Sequence, residues 1–289
     1  MRAGIHKGWI LRALGVLATA LLVLALAGCA SGPVPVRESV DAYSWEELSR
    51  IARQVSQSGS EDAALEIARS YHLCNDDGTL DATQSKTVTL TTGQSVEVQI
   101  CGFYHDDRAD ADGKTGITFI FAEPVSIRVF NNSRTNLHGW EGSALRAYVV
   151  DDVVQQFPAD LRAVVVPALK QTNNRGSSKI SDSVSQTCDY AFLFSLRELY
   201  GEIGSYSAEQ NAILNLEGEQ YQLFRDQRVS EVSRNPLLER QYRTGTRNWW
   251  TRSASSDSAT SFHVVSDDGI ATQGADANFH YAVVPGFCL

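Results

Sequence analysis

A basic stripe is missing from this sequence. Its 289 residues carry 25 Lys and Arg against 34 Asp and Glu, a formal charge of -9 with a pI near 5.2. Nucleic-acid partners are excluded on that ground, because clustered cations supply most phosphate-backbone affinity and no dense run of Lys or Arg occurs. No apolar run reaches the roughly 20 residues that a spanning helix needs. Metal-ligand spacing is missing as well, with no Cys-x-x-Cys and no His-x-x-x-His, so no zinc site and no cofactor are expected. A Gly-x-Ser-x-Gly elbow for a serine nucleophile is also absent. No internal repeat is visible.

What is present starts at the N-terminus. Arg2, Lys7 and Arg12 precede an apolar run from Ala13 to Ala27, which ends in Gly28-Cys29. Basic start, apolar middle and small-residue end make residues 1–28 a secretory signal peptide rather than part of the fold. Leu26-Ala27-Gly28-Cys29 resembles a bacterial lipobox, which implies that Cys29 is lipidated (diacylglycerol, palmitate) and becomes the mature N-terminus. Two or three acyl chains at roughly 0.8 kcal/mol per buried CH₂ anchor a soluble body stably. Removing the three leader cations takes the formal charge from -9 to -12. The expected location is extracytoplasmic, anchored to the cell membrane, or to an outer membrane, through Cys29.

Four cysteines remain: Cys74, Cys101, Cys188 and Cys288. An even number in an exported chain suggests two disulfides, although four cysteines allow three connectivities. The expected pairs are Cys74 with Cys101 and Cys188 with Cys288; buried free thiols are the alternative.

Residues 29–40, with Gly32, Pro33 and Pro35, read as a tether. Residues 41–75 read as a helical hairpin: Ser44 with Glu47 is a capping box, and Trp45, Leu48, Ile51, Ala52 and Val55 recur at helical spacing. A second helix starts at Ser60, where Glu61 and Asp62 suit the positive end of its dipole. Residues 76–289 read as one α+β domain. Its period changes to two at Val88 and Leu90, and again at Val96, Val98 and Ile100, with Thr92-Gly93 as the turn between. An extended pair follows at Ile117–Ala122 and Val125–Phe130. Helices are expected at Ser143–Gln156 and Pro158–Lys170, and a loop at Asn173–Ser185. A strand at Tyr190–Phe194 should lead into a helix at Leu196–Tyr200. After a polar, mobile section, strands return at Trp249–Arg252, Phe262–Val265 and Tyr281–Phe287. Ser253–Ser261 reads as a surface loop. The fold class is α+β, an antiparallel sheet with segregated helices.

Three motif groups, Gly102-Phe103-Tyr104-His105-Asp106, Gly113–Phe119 and Asn136-Leu137-His138-Gly139-Trp140-Glu141-Gly142-Ser143-Ala144-Leu145-Arg146, resemble the ordered landmarks of a bacterial domain family of unknown function. Asp189–Leu199, Trp249-Trp250-Thr251-Arg252-Ser253 and the tail Val283–Leu289 continue the series, so the resemblance spans roughly residues 95–289. Val284 and Gly286 stand where that family usually has Arg and Ala. More distantly, a Trp-rich strand followed by a hairpin and a terminal strand is similar to the C-type-lectin-like fold. That fold is shared by formylglycine-generating enzymes and phage receptor-binding tips. Glu123-Pro124 is followed by Val125, so the sugar and calcium motif of the lectins is not reproduced.

Trp249, Trp250 and Arg252 are the ligand-binding candidates, since aromatic faces take sugar rings and a guanidinium forks onto carboxylates. Strand alternation puts Trp249 and Trp250 on opposite faces, so at least one is core; Trp140 is expected to be core too. Asp106, Asp110 and Asp112, with Asp107 and Gly113, are weak Ca²⁺ candidates, because Arg108 breaks the D-x-D-x-D-G spacing. His72, His105, His138, His263 and His280 are scattered and receive no ligand role. No catalytic set stands out, and Glu141 or Asp189 as acid or base is guesswork. The expected function is non-catalytic binding of an envelope glycan or protein. An envelope enzyme on the same scaffold, or a structural component, is the alternative.

Overall fold

The computed structural model describes residues 32–272 and 274–289. The signal peptide and Cys29 lie outside them. Helices α1 (Trp45–Ser56) and α2 (Glu61–Ser70) form where the caps place them. Ser44 Oγ accepts the Glu47 N–H at 3.1 Å, and the Glu47 carboxylate accepts the Ser44 N–H at 2.9 Å. Two otherwise orphaned donors are thereby satisfied. The apolar stripe of α1 is buried, and Trp45 packs edge-on against Phe119 and Phe287 at 5.7 and 6.0 Å. The helical hairpin therefore shares the core of the sheet that holds those two rings.

The strands are β1 (Ser85–Thr89), β2 (Ser95–Phe103), β3 (Ile117–Phe121), β4 (Ser126–Arg128), β5 (Ala168–Asn173), β6 (Val184–Asp189), β7 (Phe192–Leu193), β8 (Gln241–Tyr242), β9 (Gly245–Thr246), β10 (Trp249–Ala254), β11 (Ser261–Val265), β12 (Ala275–Asp276), β13 (Tyr281–Val283) and β14 (Pro285–Cys288). Between them lie α3 (Ala144–Ala147), a π-helical segment Tyr148–Val153, α4 (Val154–Gln156), α5 (Ala159–Arg162), α6 (Leu196–Tyr200), α7 (Ala208–Leu214) and α8 (Gln222–Asp226). The first sheet has the order β1-β2-β3-β14-β7 and is antiparallel throughout. The second runs β12-β11-β10-β13-β4, with β10 and β13 parallel. β5-β6 and β8-β9 are separate two-stranded hairpins. The fold is α+β, and Val36–Leu289 form one compact unit. Among the described residues no helix is long and apolar enough to cross a membrane.

Several expected elements differ. The two extended segments around Glu123-Pro124 do not pair: β3 joins the first sheet and β4 the second. The terminal stretch divides likewise at Val284, between β13 and β14. Pro158–Lys170 is not one helix but the short α5 followed by the start of β5, whose polar partner strand β6 occupies the end of the expected loop. The polar section after Tyr200 holds α7 and α8, the first opened by a Ser207–Gln210 capping box. Ser253, Ser255 and Ser256 are buried, because the side-chain amide of Asn136 donates to the carbonyls of Ser255, Ser258 and Ser261 and draws that segment inward. At Gly286 a Cβ would lie 2.7 Å from the Phe194 ring and 2.9 Å from the Phe119 carbonyl. Only glycine fits that crossing of β14 with β3.

Candidate functional site

Hydrophobic strands and one capped helix bring a chain of charges together in the interior. Alternation along β5 turns Lys170 inward, where it is 1% exposed. Its Nζ lies 2.6 Å from Asp106 Oδ1, 2.6 Å from Glu198 Oε1 and 2.9 Å from the Tyr221 hydroxyl, over the face of Phe192. Glu198 is the third residue of α6, fixed by a capping box with Ser195. Arg252 on β10 forks onto both Glu198 oxygens, and its remaining donors reach Thr172 Oγ1 at 2.8 Å and the carbonyls of Leu193, Gln171 and Glu217. Asp106 Oδ2 accepts from Thr118 Oγ1 and Tyr221, with Cys288 Sγ at 3.3 Å.

Burial alone would raise the pKa of Asp106 and Glu198. The cations overcome it: Lys170 holds Asp106 well below the usual range, and Arg252 with Lys170 holds Glu198 down. Burial would lower Lys170, and the same two carboxylates reverse that. These carboxylates are therefore ionised and committed to partners. Glu217 differs. It is fully buried, accepts the Asn173 N–H at 2.9 Å and the Ser253 hydroxyl, and burial pushes it up to about 7 against the field of Arg252.

A cavity of about 150 Å³ opens onto this network. Asp106 and Glu198 lie at its buried end, while His105, Asp107, Lys114, Gln171 and Glu219 line the more accessible part. The His105 ring stacks on Tyr221 with centroids 3.9 Å apart. Burial lowers its pKa, so the imidazole is neutral at pH 7. Tyr104, immediately before it, sits at φ 53°, a left-handed conformation that tyrosine rarely adopts. Asp107 and Lys114 are paired at 2.8 Å across the mouth. The cavity thus offers charged and neutral donors and acceptors around one flat ring, above carboxylates already satisfied.

Sequence reasoning gave His105, Lys170, Glu198 and Glu217 no role. Of the network only Asp106 and Arg252 were singled out, and each for a different chemistry. Trp249, Trp250 and Arg252, the three ligand candidates, are all 0% exposed. Both indole N–H groups are spent inside, on the carbonyls of Leu238 and Arg128. They form no platform, because β10 is covered on both faces. The Ca²⁺ candidates also separate. Asp106 faces Lys170, Asp110 is paired with Arg108, and among the described residues no group of three or more His, Cys, Asp or Glu is placed to hold a metal ion.

The expected disulfides are corrected as well, since all four cysteines are free. Cys74 faces the Leu65 carbonyl, Cys101 faces Thr118, Cys188 is exposed and Cys288 is buried. Cys101 and Cys288 flank Thr118 on the two strands beside β3, about 9.5 Å apart by strand spacing and beyond disulfide reach of about 7 Å. Trp140 is core as expected, its indole donating to the buried Asp189, which also holds Arg146.

The family described as Domain of unknown function (DUF6273) matches residues 115–289, more than half of the chain, and the chain belongs to that family. The matched region contains Lys170, Glu198, Glu217, Tyr221 and Arg252, while His105 and Asp106 precede it. No curated protein and no solved structure matches the chain.

Proposed function

We propose that this member of the DUF6273 family is a lipid-anchored extracytoplasmic protein whose domain binds an envelope glycan without transforming it. The observation that carries the reading is the cavity at His105. A sugar presents paired hydroxyls that need a donor and an acceptor side by side, and Gln171, Lys114, Asp107 and Glu219 supply both around a flat neutral imidazole. Binding is favoured over catalysis because Asp106 and Glu198 are held ionised by Lys170 and Arg252, leaving neither carboxylate poised near neutrality as a general acid. The scaffold belongs to the same proposal: β10 followed by the β11 hairpin and the terminal strands supports a C-type-lectin-like arrangement. The anchor rests on the lipobox at Cys29, and free cysteines do not bear on it.

The test is a glycan array with the domain from Ser31 onward, followed by calorimetry on each hit. His105→Ala and Gln171→Ala are expected to weaken binding roughly tenfold or more. Array-wide silence, hits untouched by both variants, or turnover of a cell-wall fragment would each overturn the reading. Acyl labelling of the full chain should vanish in Cys29→Ser; unchanged labelling removes the anchor.

A further inference from the structure

Of the lysine–carboxylate pairs among the described residues, those of Lys114 and Lys179 are solvent-accessible, and only those of Lys170 are buried on both sides. The side chains of Lys170, Asp106 and Glu198 are 1%, 4% and 3% exposed. One ammonium thus stands 2.6 Å from each of two carboxylates, one from the segment after β2 and one from α6. Aromatic rings close the site, with the Phe192 centroid 4.1 Å and the Tyr221 centroid 5.3 Å from Nζ. Burial is the largest influence on Lys170 and on Asp106, and it acts against the charge of each. A reaction that removes both charges at once relieves that cost.

The two acids are not equivalent. Arg252 forks onto both Glu198 oxygens, which keeps that carboxylate anionic and its carbon a poor electrophile. Asp106 has no arginine. Its oxygens face hydroxyls instead: Tyr221 stands 2.8 Å from both, and Thr118 Oγ1 lies 2.9 Å from Oδ2. Such donors stabilise the oxyanion that forms when a nucleophile adds to a carboxyl carbon. A nitrogen 2.6 Å from Oδ1 is also within reach of Cγ, near the roughly 3–3.5 Å of a near-attack pair.

We propose that Lys170 and Asp106 are joined by a side-chain amide, an isopeptide bond that the buried site forms within its own chain. The ion pair is the starting state. Lys170 passes one proton to Asp106 Oδ1, giving a neutral amine and a neutral carboxylic acid. The amine nitrogen adds to Cγ, and the oxyanion on Oδ2 is held by Tyr221 and Thr118. Glu198 takes a second proton from the nitrogen and hands it to the Oδ1 hydroxyl, so the C–O bond breaks and water leaves. Three ammonium hydrogens become one amide N–H and the two of the water. Nothing is oxidised or reduced, and Glu198 ends as the anion it began as. The amide N–H still donates to Glu198, and Arg252 acts as the positioning residue for that carboxylate. Water has an exit, since Asp106 and Glu198 line the cavity of about 150 Å³. The step runs once per molecule, so Glu198 need not be poised near neutrality as a turnover catalyst must be. All four cysteines are free, and this bond is the covalent tie between β5 and the segment that carries His105.

Intact-mass spectrometry of the full chain in neutral detergent, beside its Lys170→Arg variant, reads the bond. Beyond the substitution itself, the unaltered chain should be lighter than the variant by one water. Its tryptic digest should give a branched peptide in which Lys170 carries the segment of Asp106, a result that needs no folded variant. Glu198→Gln leaves Arg252 a hydrogen-bond partner but removes the proton carrier, and should return most molecules to the full mass. An unaltered chain at full mass, with no branched peptide, overturns the proposal. So does a water loss that persists in Lys170→Arg or maps to Asp77-Gly78, Asp112-Gly113 or Asp268-Gly269, where an aspartate can close on its own backbone. Complete cross-linking in Glu198→Gln would overturn the proton relay.

Discussion

Replacing Glu217 by glutamine should make the protein more stable at alkaline pH and leave it little changed in acid. Glu217 is raised from 4.5 to about 7 by complete burial. An acid whose folded pKa lies above its unfolded value stabilises the fold below the unfolded pKa, and that contribution is lost as pH rises through the folded one. Each tenfold change in proton affinity is worth about 1.4 kcal/mol, so between pH 4.5 and 8 the carboxylate costs the native state about 3 kcal/mol. Glutamine resembles the protonated acid. Its oxygen can accept from the Asn173 N–H, and its amide can donate to the Ser253 hydroxyl, which already accepts from the Leu196 N–H. Urea denaturation of both proteins at pH 4.5, 6, 7 and 8 gives the stability difference at each pH. His263 requires that the difference, not the absolute curve, be read. Burial lowers it from 6.5 to about 4, so its contribution is full above 6.5 and is lost as pH falls towards 4, the opposite slope over the same interval. The His263 contribution cancels between the two proteins. The difference should grow from near zero to about 3 kcal/mol in favour of glutamine. A difference that stays constant from pH 4.5 to 8 would mean that Arg252 keeps Glu217 ionised throughout, and the reasoning fails.

Three further outcomes are expected. Lys170→Met strands Asp106 and Glu198 without their shared cation and should cost about 3–5 kcal/mol in urea denaturation; a loss below about 1 kcal/mol would mean that water compensates both. Ellman titration of the domain from Ser31 onward should find one fast thiol, Cys188, in the native state and four after unfolding without reductant, because Cys74, Cys101 and Cys288 are buried and unpaired; finding none after unfolding would restore the disulfides. Trp250→Ala should cost about 3–5 kcal/mol, since its ring is fully buried beside Phe130 and Tyr281, and an unchanged melting curve would contradict that burial.

Local signals were legible where the physics is local. The caps at Ser44, Ser60 and Ser143 and the turn at Gly93 lie where residue type predicts them, since each depends on hydrogen bonds or dihedrals within a few residues. Polar composition misled between residues 201 and 248, where the side chains bond back onto the fold. Asn215 caps the loop around Ile203, and Glu231 accepts the N–H groups of Gly204 and Ser205. The buried charge network was illegible, because Asp106, Lys170, Glu198, Glu217 and Arg252 are separated by up to 146 positions and follow no spacing rule.

The sequence by itself determined the starts of α1 and α2, the two-residue periods of β1 and β2, the α+β class and the acidic charge balance, because these follow from composition and from neighbours along the chain. Only the tertiary structure decided that Trp249, Trp250 and Arg252 are interior, that the cysteines stay apart, and that His105 stands at a polar cavity. Those outcomes depend on which strands lie side by side. That choice is made by packing of distant segments, and residue order alone does not encode it in any local pattern.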